Sequence, residues 1–346
     1  MHHTPFSSAL IAALLSCGSG EALACATCGC SMSSDAATGY SATPGWRLSL
    51  EYNYVDQNQL RTGTKAVSTA EVAAINDAGG DQEVEKRTIN RYTTLGIGYR
   101  PNADWDFSIA IPYVSRSHTT YGSATTDALT PDNVSSAESN GLGDVKLIAA
   151  WQGLLPTHSL GVQFGVKLPT GHYGGQNVDT GETVGRNPVF FSGGPNAGTA
   201  LDTSLNPGTG STDLIVGGYY FQPVSQDFDA FINGQFQGAV AQRLDSPGAD
   251  FRPGNQFYLN TGVRYEAHPD WTPQVQLNLV HKTADQGALA DTANTAGTAL
   301  FLSPGISAAF GKAQFYAVVQ IPVYSRLSGY QLFPRWTGSL GVSYSL

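Results

Sequence analysis

From Trp46 to the last residue, apolar and polar side chains alternate with a period of two. In Trp46-Arg-Leu-Ser-Leu-Glu-Tyr-Asn-Tyr54, every even position is apolar or aromatic and every odd position is polar. A period of two marks a β-strand with two unlike faces, not a helix. Twelve such segments are predicted, over 46–55, 88–100, 104–116, 142–152, 158–169, 212–221, 227–243, 256–266, 271–282, 298–310, 313–326 and 335–346. Most span about 11 residues, the length of a tilted strand that crosses a bilayer.

The connections sort by length. Residues 56–87, 117–141, 170–211, 244–255 and 283–297 are long; 101–103, 153–157, 222–226, 267–270 and 311–312 are short; 327–334 is modest. Strict alternation of short turns and long loops around an even strand number fits an outer-membrane barrel, with both termini on the short-turn side. A soluble sandwich gives no reason for it.

The apolar face sets the orientation. Leu160, Val162, Phe164, Val166 and Leu168 share one face of the fifth segment, against Gly161, Gln163, Gly165 and Lys167. The ninth sets Val275, Leu277 and Leu279 against Gln274, Gln276 and Asn278. Lipid cannot satisfy an open sheet edge, so the sheet must close, greasy outside and wet inside. Trp46, Tyr99, Trp105, Trp151, Tyr265, Trp271 and Phe310 crowd the short-turn ends, as an interfacial girdle would. Arg91 alone fits poorly, on the apolar face near the outer end. The expected fold is therefore all-β: a twelve-stranded antiparallel transmembrane up-and-down barrel over 46–346, with short periplasmic turns, long extracellular loops and outer-membrane lipid around it.

Composition agrees. Only 13% of residues are charged, about half of the roughly 25% typical of soluble domains. Beyond the N-terminus no apolar run reaches the roughly 18 residues of a membrane helix. The net charge of −9 gives no reason to expect a nucleic-acid partner. Residues 1–24 read as a signal peptide, with an apolar core from Ser8 to Ser16 and Ala22-Leu23-Ala24 before the cleavage point. A periplasmic tail, 25–45, carries Cys25, Cys28 and Cys30. Three readings stand for these thiols: a disulfide with one left over, ligands for a soft metal such as Cu(I) or Zn, or lipid attachment at Cys25. No fourth ligand lies nearby, and no other cofactor is expected.

The ending Ser339-x-Gly341-x-x-Tyr344-x-Leu346 resembles the terminal signal by which the barrel assembly machinery engages outer-membrane proteins, with Leu346 where Phe is usual. Three patches carry a second resemblance: Gly141-Leu-Gly-Asp144, Lys167-Leu-Pro-Thr-Gly171 and Gly208-Thr-Gly-Ser-Thr-Asp-Leu214. Together they resemble the outer-membrane family labelled "putative MetA-pathway of phenol degradation", most closely over about 140–240. The resemblance implies a transporter-like barrel passing small, hydrophobic or aromatic solutes. The Cys-rich tail is not part of that pattern.

The outer third of the lumen gathers charge. By alternation Arg116, Lys167, Arg243 and Arg326 are expected to point inward, with Asp144, Lys146 and Asp213 at the same height. Such a ring either lines a pore constriction that filters solute or is an ion-pair network that stabilises a plugged barrel. Pro112, Pro169 and Pro322 sit near outer strand ends, where a residue without a ladder donor breaks or ends the pairing. The loop 170–211 carries Phe190 and Phe191, either as contacts over the mouth or as plain surface. No catalytic set is expected: Gly-x-Ser-x-Gly is absent, and His281, placed on the lipid face, has no partner at its depth. The expected function is a bacterial outer-membrane channel for small-molecule solutes, without a chemical step. The alternative is a closed barrel whose tail docks a periplasmic partner or a metal.

Overall fold

The computed structural model describes residues 44–122, 124–268 and 270–346. The expected signal peptide and Cys25, Cys28 and Cys30 lie outside the described residues. In chain order the elements are β1 (Gly45–Gly63), β2 (Lys65–Ala66), α1 (Thr69–Asp77), β3 (Glu85–Arg100), β4 (Trp105–Thr120), β5 (Ser135–Leu142), β6 (Val145–Trp151), β7 (Leu160–Leu168) and β8 (Tyr173–Gln176). They continue with β9 (Thr183–Arg186), β10 (Ser211–Pro223), β11 (Phe228–Gln242), β12 (Gln256–Tyr265), β13 (Trp271–Lys282), β14 (Gly297–Phe310) and β15 (Ala313–Ser345).

Eleven of these strands close a single antiparallel ring, in the order β1-β3-β4-β6-β7-β10-β11-β12-β13-β14-β15 and back to β1. β2 and β5 pair onto β1 and β4 outside the ring, and β8 with β9 forms a separate small sheet. The expected count of twelve needs one correction. The last two expected strands are continuous in β15. Its first part pairs with β14, from Ala313 opposite Phe310 to Leu327 opposite Gly297. Its last part pairs with β1, from Leu327 opposite Gly63 to Ser345 opposite Arg47. Both pairings are antiparallel, and β14 and β1 run in opposite directions, so β15 reverses beyond Leu327. Gly329, with φ +52°, supplies the left-handed backbone that favours glycine in a tight turn.

Alternation decides the faces as expected. Phe164 is 55% exposed outside, and its neighbour Gln163 is 2% exposed inside. Leu214, Val216, Ile232, Val275 and Ile321 share the exposed exterior; Asn233, Gln237, Gln276, Asn278 and Gln320 share the buried interior. An apolar belt this extensive is unlike the surface of a soluble monomer and suits acyl chains. At the short-turn end the girdle residues touch across strands. Ring centroids are 4.7 Å apart for Trp46–Tyr99, 6.5 Å for Trp105–Trp151 and 5.1 Å for Phe228–Tyr265.

Above the belt, the segment expected as a plain loop over 56–87 extends β1 and forms α1. Ser68 caps the helix: its hydroxyl accepts from Glu71 N at 3.2 Å while Glu71 accepts from Ser68 N at 2.6 Å. Val72 and Ala73 then bury against Leu60, Val84 and Leu332. The three prolines mark real interruptions. Pro112 sits on β4 where its outer partner changes from β6, last paired at Ala110, to β5, first paired at Tyr113. Pro169 follows the end of β7, and Pro322 lies at a register shift against Phe301.

Candidate functional site

The three motif patches, distant in sequence, converge at the base of the long connection 169–210. β6, β7 and β10 are neighbours, and Lys167 stands in register with Lys146 on one side and Asp213 on the other. The Lys167 ammonium lies 3.2 Å from Asp144 and 3.0 Å from Asp213, and all three side chains are buried. It also donates to the hydroxyls of Thr209 and Ser211. Asp144 accepts from Gly171 N at 3.1 Å and from Thr209 N at 2.9 Å, so one carboxylate holds both ends of the loop. Asp213 accepts from Ser211 Oγ and from Gln237 Nε2. Lys146 and Lys167 balance Asp144 and Asp213 in charge. This balance suits a desolvated site, where an ion pair persists only with further hydrogen bonds. The motif glycines allow the approach: a Cβ on Gly171 would stand 2.9 Å from Gly208 Cα, and one on Gly208 would stand 2.6 Å from Asp144 Oδ1.

From this clamp the loop folds back into the mouth. Arg116, buried on β4, donates to the carbonyls of Leu205 and Asn206 in the loop, and to Asn90 and Tyr92 on the wall. Phe191 is buried with Ala137 and Leu201, its ring 6.1 Å from that of His118. Phe190 bridges to Ala200. The two phenylalanines thus belong to a loop that packs over the mouth. Below it, the polar interior side chains are almost wholly buried against one another.

Two of the seven charged residues expected in the lumen are placed elsewhere. Arg326 is exposed, and Ser325 takes the inward position. Val323 and Tyr324 are both exposed beside the register shift at Leu300/Phe301, so one extra residue reverses the alternation beyond it. Arg243 is exposed for the same reason. Thr212 pairs with Ala241 and Asp213 with Ala239, which leaves Val240 over and slips the face. Arg116, Asp144, Lys146, Lys167 and Asp213 are buried inside.

Above the Arg116 contact lie two cavities. The outer, about 660 Å³, opens among Val178, Phe191, Leu201 and Leu289, with Glu83, His118 and Asp202 in its lining. The inner, about 50 Å³, is lined by Glu83, Glu85, Asp202 and Asp291 together with Gln57 and Gln331. His118 holds Thr88 Oγ1 at 2.8 Å and faces Glu83 at 3.5 Å. Burial works to raise the Glu83 carboxyl, but the bond and charge of His118, with help from Thr120, hold it below the ordinary range. Burial, reinforced by the charges of Glu83 and Asp285, raises Asp202 to about 6 against the hydrogen bonds of Ser204. His118 was legible in principle: carrying the inward series 110, 112, 114, 116 two residues further reaches it. Glu83 and Asp202 come from loops and carry no periodic signal.

A closed antiparallel barrel with a greasy exterior, a polar interior and a loop packed over its outer mouth is the architecture of outer-membrane barrel proteins. The model for the family described as "Putative MetA-pathway of phenol degradation" matches residues 62–335, and the chain belongs to that family. Among solved structures it is similar to an outer membrane channel from Pseudomonas putida F1, at 12% identity over 88% of this chain and 96% of that one, with a TM-score of 0.60. The beta domain of the Bordetella autotransporter BrkA aligns at 12% identity over 88% and 100% of the two chains, TM-score 0.46. The CymD monoaromatic hydrocarbon channel aligns at 11% identity over 88% and 89%, TM-score 0.43. The first of these shows a shared barrel fold. No curated protein matches the chain.

Proposed function

We propose that this protein is a bacterial outer-membrane channel for small, hydrophobic or aromatic solutes, gated at its outer mouth and performing no chemical step. One observation carries the reading: a wall arginine, Arg116, grips the carbonyls of Leu205 and Asn206, tying the long connection across a polar lumen. Solute enters the outer cavity, and release of that grip opens the way into the polar lumen below the loop. Family membership supports the reading, and the barrel assembly machinery is the partner that inserts the chain. Planar-bilayer conductance and liposome swelling with phenol-sized solutes test it. Arg116→Ala is expected to raise conductance severalfold over wild type, since each charge-assisted hydrogen bond contributes about 1.5–3 kcal/mol to the closed state. Absence of conductance in both proteins overturns it.

A second reading draws on the filled interior: a permanently closed barrel serving as a scaffold, with Cys25, Cys28 and Cys30 docking a periplasmic partner or a soft metal. Mass spectrometry of the mature N-terminus, with and without added Cu(I) or Zn, tests the tail directly.

A further inference from the structure

We propose that the lipid-facing surface of β3, β1 and β15 is a binding site for a phosphorylated lipid of the outer leaflet, with lipid A, the anionic anchor of lipopolysaccharide, as its occupant. The inference rests on the outer-membrane reading above, although the binding step is measurable alone. It starts from Arg91, whose chain neighbours Asn90 and Tyr92 are buried in the lumen, so that alternation turns Arg91 outward. Arg91 stands opposite Tyr54 on β1, and Tyr54 opposite Gly338 on β15. Arg335 and Trp336 reach the same surface: both are exposed, beside the register shift between Val55 and Gln57. The rings of Tyr54 and Trp336 lie 5.8 Å apart. Two arginines thus flank one aromatic pair.

Depth gives these charges their meaning. At about 3.3 Å per residue and a tilt of about 40°, Arg91 lies roughly 20 Å above Tyr99 of the short-turn girdle. The apolar band of such a barrel is about 25 Å tall, so a guanidinium on this row extends to the outer headgroups. Neither Arg91 nor Arg335 has an ion-pair or hydrogen-bond partner among the described residues. The neighbouring acid, Asp56, is held by Arg87 through two bonds of 2.8 Å. Two cations therefore remain without a counter-charge at the membrane boundary, and the planar arginine fork matches a phosphate group.

A second, independent observation supplies the rest of the ligand. Below the arginines the lipid-facing surface is hollowed into an apolar groove of about 660 Å³. Thr93, two residues down β3 from Arg91, and Leu340, two residues down β15 from Gly338, line it with Leu50 and Tyr52. Ala308 and Ala317 line it where larger side chains would fill it. Cations above and an apolar groove below match the two halves of one lipid, a phosphate head and an acyl chain. The orientation selects the outer leaflet, because headgroups of the other leaflet lie at the level of Trp46 and Tyr99.

Native mass spectrometry of the full chain in detergent compares lipid A carrying two phosphates with the same lipid after dephosphorylation. Wild type is expected to bind the phosphorylated form about tenfold or more tighter. In Arg91→Gln/Arg335→Gln that preference disappears, whereas Arg186→Gln, on β9 away from this surface, retains it. Arg335→Gln alone, checked as folded by heat-modifiable gel mobility, guards against loss of the double variant and lowers the preference in part. Ala317→Phe fills the groove and weakens both forms alike. Equal affinity for the two forms in wild type, an unchanged preference in the double variant, or an equal loss in Arg186→Gln overturns the proposal. Selective binding by a chain without conductance supports the site and removes the channel. Conductance in Arg116→Ala without a preference for phosphorylated lipid A removes the site and keeps the channel.

Discussion

Two charged regions bracket the long loop, and they solve opposite problems. At the base, Lys167 sits between Asp144 and Asp213 with Lys146 in register beside it, the hydrogen bonds are dense, and motif glycines let backbones touch. At the mouth, Glu83, Glu85, Asp202 and Asp291 gather around open space. Balanced charge without a void fixes geometry, whereas acids around a void stay open to titration. The same loop is thus clamped at its ends, while its far part lines a cavity.

The strongest way to break this contrast is Lys167→Met. It leaves Asp144 and Asp213 buried without the ammonium that bridges them and is expected to cost about 3–5 kcal/mol, read as a lower urea midpoint for barrel unfolding. A midpoint equal to wild type would show that the base is not an anchor. Gly208→Ala presses a methyl against Asp144 Oδ1 and Gly171 Cα; a cost of about 1–3 kcal/mol is expected, together with faster hydrogen exchange at Gly171 and Thr209.

The mouth responds to pH instead. Asp202, raised from 3.8 to about 6, binds its proton more tightly when the loop is packed. Its stabilising contribution is therefore full below pH 3.8 and is lost as pH rises through about 6. Glu83, whose carboxyl is lowered, acts with the opposite sign: its contribution holds above the ordinary carboxylate range and fades only on further acidification. Limited proteolysis of 190–206 should accordingly be slower at pH 5 than at pH 7.5 in wild type, and equal at both in Asp202→Asn. The smallest effect is expected at Arg243→Ala and Arg326→Ala. Both side chains are exposed, so stability should stay within about ±0.5 kcal/mol and ion selectivity should not change; a clear selectivity shift would return them to the lumen.

These residues show what was legible in the sequence. The wall was, because a period of two assigns every residue of an uninterrupted strand to a face: Gln163 inside and Phe164 outside follow at once. One inserted residue defeats the same rule, and nothing in Tyr324-Ser325-Arg326 announces that Val323 is bulged. The motif patches stood out as strings, but their meaning lies in contacts between residues as far apart as Asp144 and Thr209. The mouth was the least legible part. Its acids sit on loops, where no periodicity operates, and α1 hid within a stretch that lacked a helical pattern.

The seam in β15 has a consequence for how the molecule comes into being. Until the segment 313–345 arrives, β14 and β1 each present a raw row of backbone donors and acceptors, an invitation to aggregation. The segment 313–345 is thus the keystone. A chain truncated before it would need a chaperone to shield both rims, and deletion of 330–345 should yield inclusion bodies or degradation fragments in place of a folded barrel.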